Sequence, residues 1–235
     1  MTVSERRGSA RTAVVWDTLQ PILDAPALDV LDIGGGTGGF AVRVAQQGHR
    51  VTVVDPSPDA LAALARRARE LGVDVAARQG DLATLGAEQG SADLVLCHGV
   101  LEVVDDPAAA LATLADVLRP GGRLSLLLAQ RNAAVIARAM AGHFAQALAL
   151  LDDTSPSGRA GRRFTATEAS DLLAGAGFAV ESVHGVRVFA DLVPGSLLDL
   201  EPGAPSALVE LEHAVAQRPD FLPLAAQLHL VATRP

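Results

Sequence analysis

The chain is short of several things. It holds one cysteine, Cys97, in 235 residues, no tyrosine and no lysine, and aromatic side chains make up 3% of it. A lone cysteine excludes an intramolecular disulfide and gives no zinc spacing, so no metal is expected. No uninterrupted apolar run approaches the ~20 residues of a membrane span. Met1 to Arg11 is polar and charged, with no apolar signal core. These absences point to a cytoplasmic protein with no membrane partner. All 19 basic residues are arginine and stand against 27 acids, for a formal net charge of −8. That balance argues against a non-specific polyanion binder and leaves room for a local arginine patch. With so few aromatics there is little to stack on unpaired bases.

What is present is a hydrophobic content of 49%, supplied mostly by Ala, Leu and Val, in a chain long enough for one α/β domain with a full core. It is organised around Val30-Leu-Asp-Ile-Gly-Gly-Gly-Thr-Gly-Gly39, an apolar strand running into a glycine-rich turn, with helical spacing from Phe40 to Gln47. Glycines at such a turn allow positive φ and let a ligand approach the backbone. Gly34, Gly36 and Gly39 fit the dinucleotide fingerprint G-x-G-x-x-G, and Asp55, ending the next strand (Arg50–Val54), stands where a ribose-binding acid belongs. Asp32-x-Gly34-x-Gly36-x-Gly38 fits equally well the first motif of methyltransferases that use S-adenosylmethionine. The two ligands share an adenosine and differ beyond the ribose. A pyrophosphate wants helix N–H groups and no nearby anion, whereas a methionine tail carries an ammonium and a sulfonium. Asp32, just before the loop, suits the cation.

Residues 11–24 have helical apolar spacing ahead of the first strand, with Trp16 as a core anchor. Pro56-Ser-Pro-Asp59 starts a helix that runs to Leu71 and stops at Gly72. Val73–Ala77 reads as a third strand, and Gly80-Asp81-Leu82 follows it. Asp81 reads as the cap of its own turn; resemblance to a methyltransferase would instead set it against an adenine. Ala92–Leu96, nearly all apolar, is a buried strand that delivers Cys97, His98 and Gly99 to the carboxyl edge, where ligands sit in open α/β sheets. Cys97 reads as an inert buried thiol. His98 is a cofactor or substrate contact, a base, or a core histidine. A helix through Leu118 and a tight Leu-Arg-Pro-Gly-Gly122 turn lead into a fifth strand, Arg123–Leu128. Asn132–Leu151 reads as one or two helices, and the loop to Arg163 carries Arg159, Arg162 and Arg163. Thr165 and Glu168 have capping-box spacing. Phe178–Phe189 gives a strand or two broken at Gly185, followed by a helix over Ser206–Gln217 and a closing strand over Gln227–Thr233.

These motifs together resemble the class I methyltransferases. The Leu-Arg-Pro-Gly-Gly turn recurs at this place in that family and not in dehydrogenases. Within the family the chain is similar to the bacterial tRNA carboxymethoxyuridine carboxyl methyltransferases, through Leu31–Gly36, Cys97–Glu102, Leu118–Ser125, Met140–Phe144, Gly185–Phe189 and Leu208–Glu212. The resemblance implies a Rossmann-like, mostly parallel seven-stranded sheet with helices on both faces and a helical insertion after the fifth strand. It implies one domain over 1–235: an N-terminal helical lead (1–28), a cofactor-binding half (29–128), an insertion over the active site (129–165) and a C-terminal half (166–235). It implies S-adenosyl-L-methionine as cofactor, with Arg11, Gly34, Gly35, Asp55, Asp81, Leu82 and His98 at contacting positions beside Asp32, Gly36 and Gly38. The implied acceptor is a carboxylate, either carboxymethoxyuridine in tRNA or a small carboxylate-containing substrate. Three departures fall on the acceptor side. Val103 stands where an aromatic is expected, Ala129-Gln130 where a Tyr-Asn pair is expected, and a sparse arginine loop where lysines are expected.

Methyl transfer from a sulfonium is an in-line displacement. A carboxylate acceptor is already ionised at neutral pH and needs no base, so proximity and alignment supply the acceleration. A hydroxyl acceptor would need one, and His98 is the nearest candidate. Arg187 is the natural bidentate clamp for a substrate carboxylate, with Arg159, Arg162 and Arg163 as further substrate contacts. The competing functions are a small-metabolite or natural-product methyltransferase, a nicotinamide-dependent oxidoreductase, and a fold that binds the cofactor without turnover.

Overall fold

The computed structural model describes residues 3–85, 89–153, 161–200 and 203–235, with side chains from Thr12 onward except at 199–200. Seven strands form one sheet: β1 (Asp29–Ile33), β2 (Arg50–Asp55), β3 (Ala76–Gln79), β4 (Ala92–His98), β5 (Leu118–Ala129), β6 (Ala179–Val186) and β7 (Gln227–Thr233). Their order is β3-β2-β1-β4-β5-β7-β6. The β3–β2, β2–β1, β1–β4 and β4–β5 pairs are parallel, so this is the mostly parallel α/β sheet that the sequence implied. The chain packs as two compact units, one of Pro21–Leu127 with Ser170–Ser182 and Leu230–Pro235, the other of Met1–Gln20, Leu128–Ala169 and Val183–His229.

In the first of these units β4 runs through the core, with Leu94, Val95, Leu96 and Cys97 all fully inaccessible. That is why its sequence is a continuous apolar run and not an alternation. The sheet's amino edge is tied by charge. Asp29 takes Arg50 Nε at 2.6 Å and Arg119 Nη2 at 2.9 Å, and Arg119 Nη1 reaches Asp93 at 2.5 Å. The helices are α2 (Ala41–Gln46), α3 (Pro58–Leu71) and α4 (Pro107–Val117). Ser57 caps α3, and Asp106 caps α4 by accepting the N–H groups of Ala108 and Ala109; in both helices a proline sits in the first turn, where its missing N–H costs nothing.

Several boundaries differ from the sequence reading, two of them for a clear local reason. The third strand begins at Ala76 rather than Val73, because Val73 belongs to the end of α3. Gly72 takes φ +67° and the Val73 N–H returns to Ala68 O at 3.0 Å, a Schellman closure that delays the strand. The Pro-Gly-Gly segment is not a turn before β5 but a bulge inside it. Ala92 pairs with Leu118 and Leu94 with Arg123, so three further residues of β5 are accommodated there. Gly121 takes φ +76° and donates to Arg234 O at 2.8 Å, and Gly122 O accepts the Arg234 N–H. At Gly122 a Cβ would lie 2.9 Å from Arg119 O, so only glycine fits.

The other unit holds most of α1 (Val3–Leu23) with α5 (Arg131–Met140), α6 (Phe144–Leu150), α8 (Gly195–Leu200) and α9 (Ala204–Val215); α7 (Ala166–Gly175) begins in it. The expected capping box starts α7: the Thr165 N–H donates to Glu168 Oε2 at 2.8 Å, and the Glu168 N–H to Thr165 Oγ1 at 3.3 Å. Buried Arg131 reaches both Glu168 oxygens at 2.8 Å. The short helix α8 has no counterpart in the sequence reading. The β6 strand is a single strand through Gly185, whose absent Cβ would lie 3.0 Å from Ala225 Cβ, and it stops at Val186, before a turn that Arg187 begins.

Candidate active site

The site is built on the glycine turn after β1. The Gly34 N–H donates to Val54 O at 2.7 Å, and the Gly36 N–H to Asp55 Oδ2 at 2.9 Å. Asp55 Oδ1 accepts the Ser57 N–H at 2.8 Å. The buried acid at the end of β2 thus pins the turn after β1 and the start of α3 together, and each oxygen keeps a lone-pair direction for a ligand hydroxyl. Gly34, Gly36 and Gly38 all take positive φ. A Cβ at Gly34 would meet Val100 Cγ2 at 2.6 Å, one at Gly35 would meet Asp32 Oδ2 at 2.5 Å, and one at Gly38 would strike Leu64 Cδ1. Gly39 has ordinary φ and open space. The third glycine this turn requires is therefore Gly38, which selects the Asp32-x-Gly34-x-Gly36-x-Gly38 spacing over the dinucleotide fingerprint.

A cavity of about 630 Å³ opens at the carboxyl ends of the strands, inside the range of about 300–1,000 Å³ usual for ligand pockets. Its wall includes Ile33, Gly34, Asp55, Asp81, Leu82 and Val103, with Asp105 and Asp106 added from the β4–α4 connection. Among the described residues, four carboxylates and no arginine or histidine line it. Such a wall repels a pyrophosphate and suits a ligand with cationic groups. The cavity brings Gly34, Asp55, Asp81 and Leu82 together, whereas Asp32, Gly35, Gly36, Gly38 and His98 lie off its lining. Sequence reasoning missed Asp105 and Asp106. Their signal was an acid pair before Pro107 at the exit of a buried parallel strand.

Asp81 caps its own turn at the wall of the cavity. Its Oδ1 accepts the Thr84 N–H at 2.8 Å and hydroxyl at 2.7 Å. These bonds hold its carboxyl below the usual range. Asp32 is 3% exposed, and burial, with the Asp55 charge, pushes it up to about 7. An acid held at that value gains most from a cationic neighbour. Burial likewise raises the Cys97 thiol above its usual value, consistent with an inert core residue. His98 Nε2 lies 2.8 Å from Ser125 Oγ, and the ring meets Phe40 edge-on at 4.8 Å. Burial lowers its pKa to about 4, so the imidazole is neutral at pH 7 and weak as a base.

In the other unit Arg187 is the one described non-glycine residue with positive φ, at +62°. Its Nη2 pairs with Asp191, and its Nη1 lies 3.4 Å from Gln227 Oε1. Arg162 and Arg163 are half-buried, and the Arg163 carbonyl accepts from Arg131 at 3.2 Å. Arg159 and the side chain of Arg11 lie outside the described residues. Among the described residues no cluster of His, Cys, Asp or Glu is placed to hold a metal, and no helix is long and apolar enough to cross a membrane.

A family model described as a methyltransferase domain matches residues 30–122, the stretch that contains the glycine turn, the cavity wall and the Pro-Gly-Gly bulge. The chain belongs to the class I S-adenosylmethionine-dependent methyltransferases, and S-adenosylmethionine is its cofactor. It is 30% identical over 243 residues to a tRNA 5-carboxymethoxyuridine methyltransferase of Escherichia coli (strain K12), covering 97% of this chain and 90% of that one. A ubiquinone biosynthesis O-methyltransferase of Xanthomonas euvesicatoria pv. vesicatoria (strain 85-10) is 37% identical over 121 residues, about half of each chain (51% of both). Among solved structures, magnesium protoporphyrin IX methyltransferase from Synechocystis PCC 6803 with bound SAH superposes with a TM-score of 0.63 at 19% identity, over 97% of this chain and 83% of the other. The acidic cavity, the glycine turn and Asp55 fit this cofactor. When bound, it supplies an electrophilic methyl group on a sulfonium.

Proposed function

We propose that the enzyme transfers a methyl group to a carboxylate, and that the carboxylate is the side chain of carboxymethoxyuridine in a tRNA anticodon. The observation that carries this reading is the similarity to the tRNA 5-carboxymethoxyuridine methyltransferase along 97% of the chain, whereas the ubiquinone O-methyltransferase matches only about half. The full-length match includes the Arg187 turn and α9. In this reading Asp55 takes the ribose diol, Asp81 and Leu82 face the adenine, and Asp32 offsets the positive charge of the methionine moiety. Gly34, Gly35 and Gly36 keep the backbone open to the ligand, Gly38 seats the turn on α3, and His98 flanks the cofactor as a neutral ring.

Arg187 is the clamp for the acceptor carboxylate, with Arg159, Arg162 and Arg163 as contacts to the rest of the substrate. No general base is needed, which agrees with a His98 that is largely neutral and turned to Ser125. The setting is the cytoplasm, where modified tRNA and the cofactor meet. A small carboxylate-containing acceptor is the second reading, favoured by the net charge of −8, which repels a polyanion.

The test is methyl transfer from labelled S-adenosylmethionine to bulk tRNA carrying carboxymethoxyuridine, followed by nucleoside analysis for the methyl ester. The expected result is label in the ester, lost after mild alkali. No transfer by cofactor-saturated enzyme at low or moderate salt would overturn the tRNA assignment and leave the small-acid reading.

A further inference from the structure

The turn that carries Arg187 is held by a residue the reaction does not touch. Glu212 of α9 is fully inaccessible. Its Oε2 accepts the Val188 N–H at 2.9 Å, and its Oε1 accepts those of Phe189 and Ala190 at 2.8 and 2.7 Å. Three consecutive backbone donors on one carboxylate form an anion nest, here filled by the protein itself. Charge-assisted bonds of this kind are strong in a dry surrounding.

The nest fixes the three residues directly after Arg187, whose φ of +62° is the left-handed region where a long side chain is strained. Such a conformation persists only where the surroundings over-determine it. Here they do so on both sides. Upstream, the Gly185 N–H is bonded to Ala216 O at 2.6 Å; downstream are the Glu212 bonds; and the Arg187 carbonyl accepts the Ala226 N–H at 3.3 Å. An arginine in an extended backbone at 187 would start its side chain in another direction.

We propose that Glu212 is the positioning residue for Arg187: by gathering the N–H groups of Val188, Phe189 and Ala190 it imposes the left-handed backbone from which Arg187 presents its guanidinium to the acceptor carboxylate. This rests on the reading of Arg187 as the clamp. Glu212 itself touches neither substrate nor cofactor in this account. Asp191 and Gln227 hold the guanidinium in the meantime, and the orientation of Arg187 is set from behind by Glu212.

The test is a double-mutant cycle on the full chain, with bulk tRNA carrying carboxymethoxyuridine as acceptor. In the wild-type background Glu212→Gln puts an amide N–H₂ among the three donors, and it is expected to raise the acceptor KM about tenfold or more with kcat and cofactor affinity within about twofold. In an Arg187→Ala background the same change is expected to add less than about twofold to KM. An undiminished effect in that background overturns the proposal, since Glu212 would then act without Arg187. If Arg187→Ala leaves KM unchanged in an active enzyme, the clamp reading fails instead. A substrate-free arm is the crystal structure of the Glu212→Gln variant, where Arg187 is expected to leave the left-handed region. Unchanged backbone over residues 187–190 overturns the proposal whatever the acceptor. Should Glu212→Gln fail to fold, Glu212→Asp, which retracts the carboxylate by one methylene, carries the same two readouts.

Discussion

Asp55 accepts the Gly36 N–H at 2.9 Å, so the acid at the end of β2 closes the glycine turn that follows β1. One carboxylate thereby serves the fold and faces the cavity. Substituting Asp55 by Ala should weaken S-adenosylmethionine binding by about 1.5–3 kcal/mol, the range for hydrogen bonds to a charged group. The same change should lower the thermal midpoint of the ligand-free enzyme, because the N–H groups of Gly36 and Ser57 lose their acceptor. Asp55→Asn should do less on both counts, since its amide oxygen can still accept. Calorimetry that finds unchanged cofactor affinity in both variants would place the ribose elsewhere.

The glycines make a sharper test of which motif this is. Gly38 has φ +78°, and a Cβ there would collide with Leu64, while Gly39 has neither constraint. Gly38→Ala is expected to destabilise the protein by about 1–3 kcal/mol, as overpacking does, and to weaken cofactor binding. Gly39→Ala is expected to match wild type in urea melts and in turnover. The reverse ranking would restore the dinucleotide spacing.

Much of this was legible in the sequence, and the reasons are local. The strands β1 and β4 announce themselves as apolar runs, and Asp55 as the acid ending the second strand. Ser57 and Thr165 mark helix starts by their type and spacing. What escaped was non-local. That Val73 closes α3, and so belongs to no strand, depends on a backbone bond across the Gly72 cap. Nothing near Arg187 in the chain signals that its turn is fastened by Glu212, 25 positions later, because a buried glutamate on a helix face reads as an exposed one. Asp191, four residues from Arg187, was readable as a partner in principle. That spacing signals an ion pair on a helix, whereas here a turn brings the two together.

The elevated pKa of Asp32 has a sign that can be checked. Its value rises from 3.8 to about 7 on folding, so the protonated form is favoured in the folded protein. The associated stability is fully present below about pH 4, falls as pH rises, and is gone above about pH 7. Asp32→Asn removes that slope and should stabilise the ligand-free enzyme at pH 8 by an amount of order 1–4 kcal/mol, with little change near pH 4. Cofactor affinity should move the opposite way, rising through pH 7 in wild type as Asp32 ionises against a cationic ligand and staying low and flat in Asp32→Asn. Urea melts and calorimetry at pH 6 and 8.5 read both trends. Parallel stability curves for the two proteins would show that Asp32 does not titrate in this range.

The acceptor can be judged from how binding responds to salt. A tRNA is held largely through its phosphates, and each phosphate contact adds to the steepness with which affinity falls as salt rises. If Arg162 and Arg163 make such contacts, replacing either with Ala should weaken binding of any tRNA, modified or not, and reduce the slope of log affinity against log salt by about one. Arg187→Ala should behave differently. It should spare unmodified tRNA and weaken the carboxymethoxyuridine form, because its target is the acceptor carboxylate and not the backbone. These two patterns separate charge that holds a polyanion from charge that reads one group on it. A small-acid enzyme would keep the second pattern and lose the first: filter binding would then give a shallow salt slope that neither loop arginine changes, and the net charge of −8 would need no local exception.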